Sequence, residues 1–193
     1  PNVSLVNIPA SICQGGSVNP LANVNNCYSA VTPTYSWTFN GGIPATSTSS
    51  NPGTVIFNSA GTYTITLVVE NECGKTEVSQ DIIIKPSPDA IVPDNQSFCV
   101  GASAGPFTFS SSFPGTSFSW TNNNTSIGLA ASGSGNIFAF TTTNGGSTPA
   151  TGNISVIPVL NGCTGPSATF NITVNPKPLA PGVVSPLNYC QGD

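Results

Sequence analysis

Charge is what this sequence has least of: 5% of its 193 residues are Asp, Glu, Lys or Arg, against roughly 25% in an ordinary soluble domain. Lys75, Lys85 and Lys177 are its only basic side chains, and Glu70, Glu72, Glu77, Asp81, Asp89, Asp94 and Asp193 its only acidic ones. Three lysines and a net charge of −4 cannot track a phosphate backbone, so nucleic acid is excluded as a partner. Histidine is absent. A serine or cysteine nucleophile needs an adjacent base, so Ser–His and Cys–His catalysis has nothing to work with. Glycoside hydrolysis needs two carboxyls in a cleft; Glu70 and Glu72 share a strand face by parity, but at a hairpin end, where solvation accounts for them. Calcium asks for about six to eight oxygens, and Lys75 falls among Glu70, Glu72, Glu77 and Asp81. No cysteine pair is spaced C-x-x-C, which removes the usual zinc framework. The expectation is therefore no catalytic residue, no metal and no cofactor. No apolar run approaches the ~18 residues a membrane helix needs, so no membrane span is expected in this segment. Pro1 already begins a strand-like stretch with no targeting signal before it, and the chain is expected to be a piece of something longer.

What is present in place of charge is Ser, Thr, Asn and Gly, residues of strands, turns and loops more than of helix interiors. The 20 glycines and 18 prolines are scattered, so the chain should turn often, and a hydrophobic content of 38% suffices for cores. Six cysteines in a histidine-free chain favour disulfides and an oxidising, extracellular or cell-surface location.

An internal repeat organises the chain. Ser11-Ile12-Cys13-Gln14-Gly15, Ser97-Phe98-Cys99-Val100-Gly101 and Asn188-Tyr189-Cys190-Gln191-Gly192 match one another. Between them, Tyr35-Ser36-Trp37-Thr38 answers to Phe118-Ser119-Trp120-Thr121, Asn71-Glu72-Cys73-Gly74 to Asn161-Gly162-Cys163-Thr164-Gly165, and Ile82-Ile83-Ile84-Lys85-Pro86 to Ile172-Thr173-Val174-Asn175-Pro176. These landmarks divide the chain into residues 1–86, a second unit at 89–176, and a linker with the start of a third repeat at 177–193. Closely spaced prolines at the boundaries make short, stiff linkers.

Within the first unit Tyr63, Ile65, Leu67 and Val69 alternate with threonines and Val68, and Val78, Gln80, Ile82 and Ile84 resume the period of two after a turn at 72–75. Trp37 shares its parity with Tyr35 and Phe39. In the second unit Phe107 and Phe109, Phe118 and Trp120, Phe138 and Phe140, Ile154 and Val156, and Phe170, Ile172 and Val174 are expected to point inward. No segment has helical periodicity. The fold class is all-β: tandem immunoglobulin-like sandwiches of about 90 residues, near the ~100 of such domains.

Tyr35-Ser36-Trp37-Thr38-Phe39-Asn40-Gly41-Gly42, Asn51-Pro52-Gly53 and the run from Gly61 to Val69 resemble a PKD domain, over roughly residues 13–84. Relatives usually carry Trp-Asp-Phe-Gly-Asp-Gly where this chain has Trp37-Thr38-Phe39-Asn40-Gly41-Gly42, so both acidic positions of that motif are empty here. The second unit, through Trp120-Thr121-Asn122 and the stretches at 128–137 and 161–165, looks like the PKD-like or immunoglobulin-like repeats of very large secreted proteins of gliding bacteria. The resemblance implies type IX secretion and a gliding-motility adhesin.

Trp37 and Trp120 could stack on sugars; their repeat positions match a core tryptophan, which is the expectation. Tyr63 is expected in the core as a tyrosine-corner-like residue, its hydroxyl satisfying nearby backbone. Loops at 43–51, 122–135 and 142–151 are read as exposed and able to hydrogen-bond a glycan. Immunoglobulin topology places Cys27 and Cys73 at one end and predicts that they pair. Cys99 and Cys163 are the obvious intradomain pair by sequence, yet the same topology puts them at opposite ends; Cys13–Cys163, a staple between repeats, is the alternative. The expected function is a spacer or stalk in a cell-surface adhesin, partnered by neighbouring repeats of its own chain. The rival reading is a module that binds surface polysaccharide or another surface protein through its loop tips.

Overall fold

The computed structural model describes residues 1–26 and 31–177, and the chain divides into two compact units, Pro1–Ser87 and Pro88–Asp193. The first unit is built from β1 Asn2–Val6, β2 Ser11–Cys13, β3 Ser17–Val18, β4 Leu21–Asn25, β5 Thr34–Phe39, β6 Gly42–Ile43, β7 Thr46–Ser47, β8 Val55–Phe57, β9 Gly61–Asn71 and β10 Gly74–Lys85. Its main sheet runs β2-β10-β9-β5-β7, and the opposing layer is made of the pair β1-β4 and the triplet β3-β8-β6. The β9–β10 hairpin carries the alternation seen in the sequence: Ile65, Leu67, Val69, Ile82 and Ile84 are buried between the layers with Trp37, Phe39, Val55 and Phe57. Their neighbours of opposite parity on β10 face water, as the pleat requires. The turn is tighter than expected, Glu72 and Cys73 alone joining Asn71 to Gly74.

The second unit comprises β11 Gln96–Cys99, β12 Ser103–Ala104, β13 Ser117–Asn122, a 3-10 turn at Thr125–Ile127, β14 Ser132–Ser134, β15 Phe140–Thr141, β16 Ala150–Leu160, β17 Cys163–Thr164 and β18 Ala168–Asn175. The order β11-β18-β16-β13-β14, with β17 on β16, reproduces the main sheet of the first unit. The opposing layer is looser: β12 pairs with β15, and single bridges join Ile91 to Ser110 and Phe107 to Ile137. Its core holds Phe107, Phe109, Trp120, Ile127, Leu129, Ile137, Ile154, Val156, Phe170, Ile172 and Val174. The architecture is thus all-β, two immunoglobulin-like sandwiches in tandem. Among the described residues no helix is long and apolar enough to cross a membrane.

Two expectations fail in this second layer. Phe138 is not inward but 84% exposed. The bridge from Ile137 to Phe107 turns Ile137 into the core, and the irregular residues after it break the parity between Phe138 and Phe140. The 122–135 segment is not an open loop either. Ile127 and Leu129 are buried in it, because the 3-10 turn folds back onto β16 and β18.

Candidate functional site

The repeated motifs are where a site would be sought, and each can be followed to its contacts. In the first, Cys13 ends β2, which lies parallel to β10 opposite Lys85, and Cys99 ends β11, parallel to β18 opposite Asn175. The chain then crosses to the other layer through the same bonds in both units. The Gly16 amide donates to the Cys13 carbonyl at 2.9 Å and the Ala102 amide to Cys99 at 3.2 Å, closing a turn. Gly15 and Gly101 donate to the carbonyls of Phe57 and Thr142, and the Phe57 and Thr142 amides donate back to Gly16 and Ala102. The turn needs a positive φ, 79° at Gly15 and 87° at Gly101, which explains the glycine two residues after each cysteine. Its polar groups are consumed by the fold.

The second landmark is the tryptophan strand. The segments β5 and β13 share one pattern of burial, with Trp37 and Trp120 at the fourth position and Phe39 and Asn122 at the sixth. Trp37 is fully buried, its ring 5.7 Å from Phe39, and its Nε1 donates to the Ser49 carbonyl at 3.0 Å. That bond, with the turns closed by Ser47, Ser49 and Asn51 side chains, fixes the 43–51 loop. Trp120 is 7% exposed and lies against Gly133, where any Cβ would overlap the ring; its Nε1 has no hydrogen-bond partner among the described residues. Neither indole offers a face to a sugar. Asn122, in the place of Phe39, is a buried polar side chain that sequence reading passed over. Its Nδ2 donates to the carbonyls of Asn124, Leu129 and Ala130, and its Oδ1 accepts the Asn124 amide. The 122–135 segment is folded around it.

Tyr63 is half-buried at the rim of the first core, not inside it. Its ring covers Gly41, where a Cβ would overlap it, and stands 5.8 Å from Phe57. No hydrogen bond of its hydroxyl is found among the described residues, so the ring makes the contact rather than a tyrosine corner. The 142–151 segment is likewise anchored: Thr142 is buried and donates through Oγ1 to Cys99 at 2.6 Å, and Asn144 donates to Thr148 and Val174.

The third landmark proves to be two different turns. Asn71 stays in β9, its Oδ1 accepting the Cys73 amide at 2.9 Å and its Nδ2 donating to Asn26 Oδ1 at 2.6 Å. In the second unit Asn161 and Gly162 themselves form the turn, with φ of 50° and 82°, between Leu160 and Cys163. This is the primed turn that Asn-Gly favours in a hairpin. The cysteines are therefore one residue out of structural register: Cys73 sits in the turn and is exposed, whereas Cys163 is on β17 and 1% exposed. Cys13, Cys73, Cys99 and Cys163 are all disulfide-bonded. Cys27, and with it the expected Cys27–Cys73 pairing, lies outside the described residues.

Among the described residues the carboxylates gather into no site. Lys75 is directly across from Glu70 on the exposed face of the hairpin, and Asp81 accepts from Thr64 Oγ1 at 2.7 Å. No cluster of three or more potential metal ligands occurs among the described residues. Asp89, which the sequence did not single out, ties the start of the second unit to its 111–112 turn. The Ser111 hydroxyl donates to it at 2.7 Å, and the Ser112 hydroxyl and amide at 2.8 Å. Those bonds hold its carboxyl below the usual carboxylate range. A concavity lined by Asn7, Ile8, Pro9, Ser17, Val18 and Asn19 is open, and none of these side chains is ionisable.

The PKD domain family matches residues 3–84, the first sandwich. Among solved structures, the fibronectin(III)-like modules of Clostridium thermocellum CbhA are 16% identical, with a TM-score of 0.38 over 91% of this chain and 95% of that one. An I-band fragment of titin is 13% identical, with a TM-score of 0.47 over 91% of this chain and 65% of that chain. Tandem Ig repeats of Dlar are 17% identical, with a TM-score of 0.33 over 91% of this chain and 98% of the other. No curated protein sequence matches the chain.

Proposed function

We propose that the two sandwiches are spacer repeats of a large extracellular surface protein, an adhesin of the gliding-motility type, with neighbouring repeats of the same chain as their partners. One observation carries the reading: the turns, tryptophans and loop side chains of the repeated motifs are spent on building the unit. The Cys-x-Gly turns close backbone bonds, the tryptophans fill cores, and the loop asparagines and serines bond to their own backbone. PKD domains are usually extracellular modules without catalytic activity, and a surface of amides and hydroxyls suits that setting. The outer face of β16 and β18 is a ladder of this kind, with Thr151 to Thr173 and Asn153 to Asn171 both at 2.9 Å.

A glycan array and a panel of surface polysaccharides, probed with the oxidised chain, test the proposal against loop-tip recognition. A spacer gives no saturable signal. Saturable binding abolished by substitutions in 43–51 or 142–151, with an unchanged melting curve, would establish a binding module instead.

A further inference from the structure

We propose that Cys99 and Cys163 do not bond to each other, each taking a different cysteine as its disulfide partner. Each of these cysteines is in a disulfide, and the strand register keeps them from sharing one. Cys99 lies opposite Asn175, the residue after Val174, and Val174 pairs with Ala150 at the start of β16. Cys163 lies opposite Leu160, the last residue of β16. Ala150 and Leu160, the two ends of the 11-residue β16, are about 33 Å apart at ~3.3 Å per residue. A disulfide requires Cα atoms within about 7 Å. No rotamer or loop adjustment closes that distance, because the intervening strand is hydrogen-bonded on both sides, to β13 and β18.

The first sandwich obeys the same rule. Cys13 is opposite Lys85 at one end of β10, and Cys73 immediately precedes Gly74 at the other, about 36 Å away at ~3.3 Å per residue. Cys13 and Cys73 therefore do not bond to each other either. Each bond forms when two thiols surrender two protons and two electrons to an external disulfide of the thiol-oxidoreductase class, which is reduced to two thiols. The inference is independent of the spacer reading, since it concerns connectivity and not ligand binding.

Non-reducing peptide mapping of the full oxidised chain decides it. The expected result is Cys99 and Cys163 in separate cross-linked peptides. A Cys99–Cys163 peptide overturns the proposal. Cys163→Ser provides a second readout by alkylation under denaturing conditions. One new free thiol is expected at a cysteine other than Cys99, with Cys99 still protected; release of the Cys99 thiol overturns the proposal.

Discussion

Trp37 and Trp120 occupy one position in the repeat and differ in a single bond. Truncating either to alanine should cost its own sandwich about 3–5 kcal/mol, the usual penalty for removing a core aromatic. Phenylalanine separates the two. In Trp37→Phe the Ser49 carbonyl loses its donor, whereas Trp120→Phe removes an indole N–H that has no hydrogen-bond partner among the described residues. Thermal melting should therefore find Trp37→Phe the more damaging by about 1 kcal/mol, the net worth of a typical hydrogen bond. Asp89 supplies the pH dependence. Its folded-state affinity for protons is lowered by the Ser111 and Ser112 donors, so its contribution is complete above the ordinary carboxylate range and fades as pH falls through the lowered value. Acid melting curves of the second sandwich should show that slope, and Asp89→Ala should flatten it while lowering stability at neutral pH.

At the level of elements, the sheet-crossing turn sets the cost of altering the Cys-x-Gly motif. Gly15→Ala and Gly101→Ala force a side chain into left-handed backbone, at about 1–2 kcal/mol each. Nothing crowds a Cβ at either site, so relief of a clash cannot offset the loss. Equilibrium denaturation of each variant measures it, and an unchanged midpoint would mean that the turn relaxes. The strands that could be read from sequence were those with long, unbroken alternation: β9, β10, β16 and β18 are paired over many residues, and their parity cannot slip without turning the core outward. The shorter pieces were not legible in that way. Phe138 does not follow its expected parity because it lies between the single bridge at Ile137 and the two-residue pairing of β12 with β15, not within a long ladder. The 122–135 segment was read as exposed because its buried residues answer to Asn122, and a polar side chain at a core position gives no hydrophobic signal. Cys73 and Cys163 looked equivalent because spacing along the chain hides a one-residue shift between two kinds of turn.

For the whole chain, the scarcity of charge has a consequence for proteolysis. Trypsin cuts after Lys and Arg, and this chain offers it three lysines and no arginine. Two of them, Lys85 and Lys177, are followed by Pro86 and Pro178, and trypsin does not hydrolyse a bond whose amide is a proline nitrogen. The segments at which strings of sandwiches are most readily nicked are thereby closed to it. Only the Lys75–Thr76 bond remains, and β10 holds it in a ladder against β9 that must open before a protease can bind. The native chain should survive prolonged digestion. Once unfolded and reduced it should yield two pieces, 1–75 and 76–193, and a cut at either linker in gel or mass analysis would contradict this. The prolines that begin each linker thus act as chemical armour at the joints.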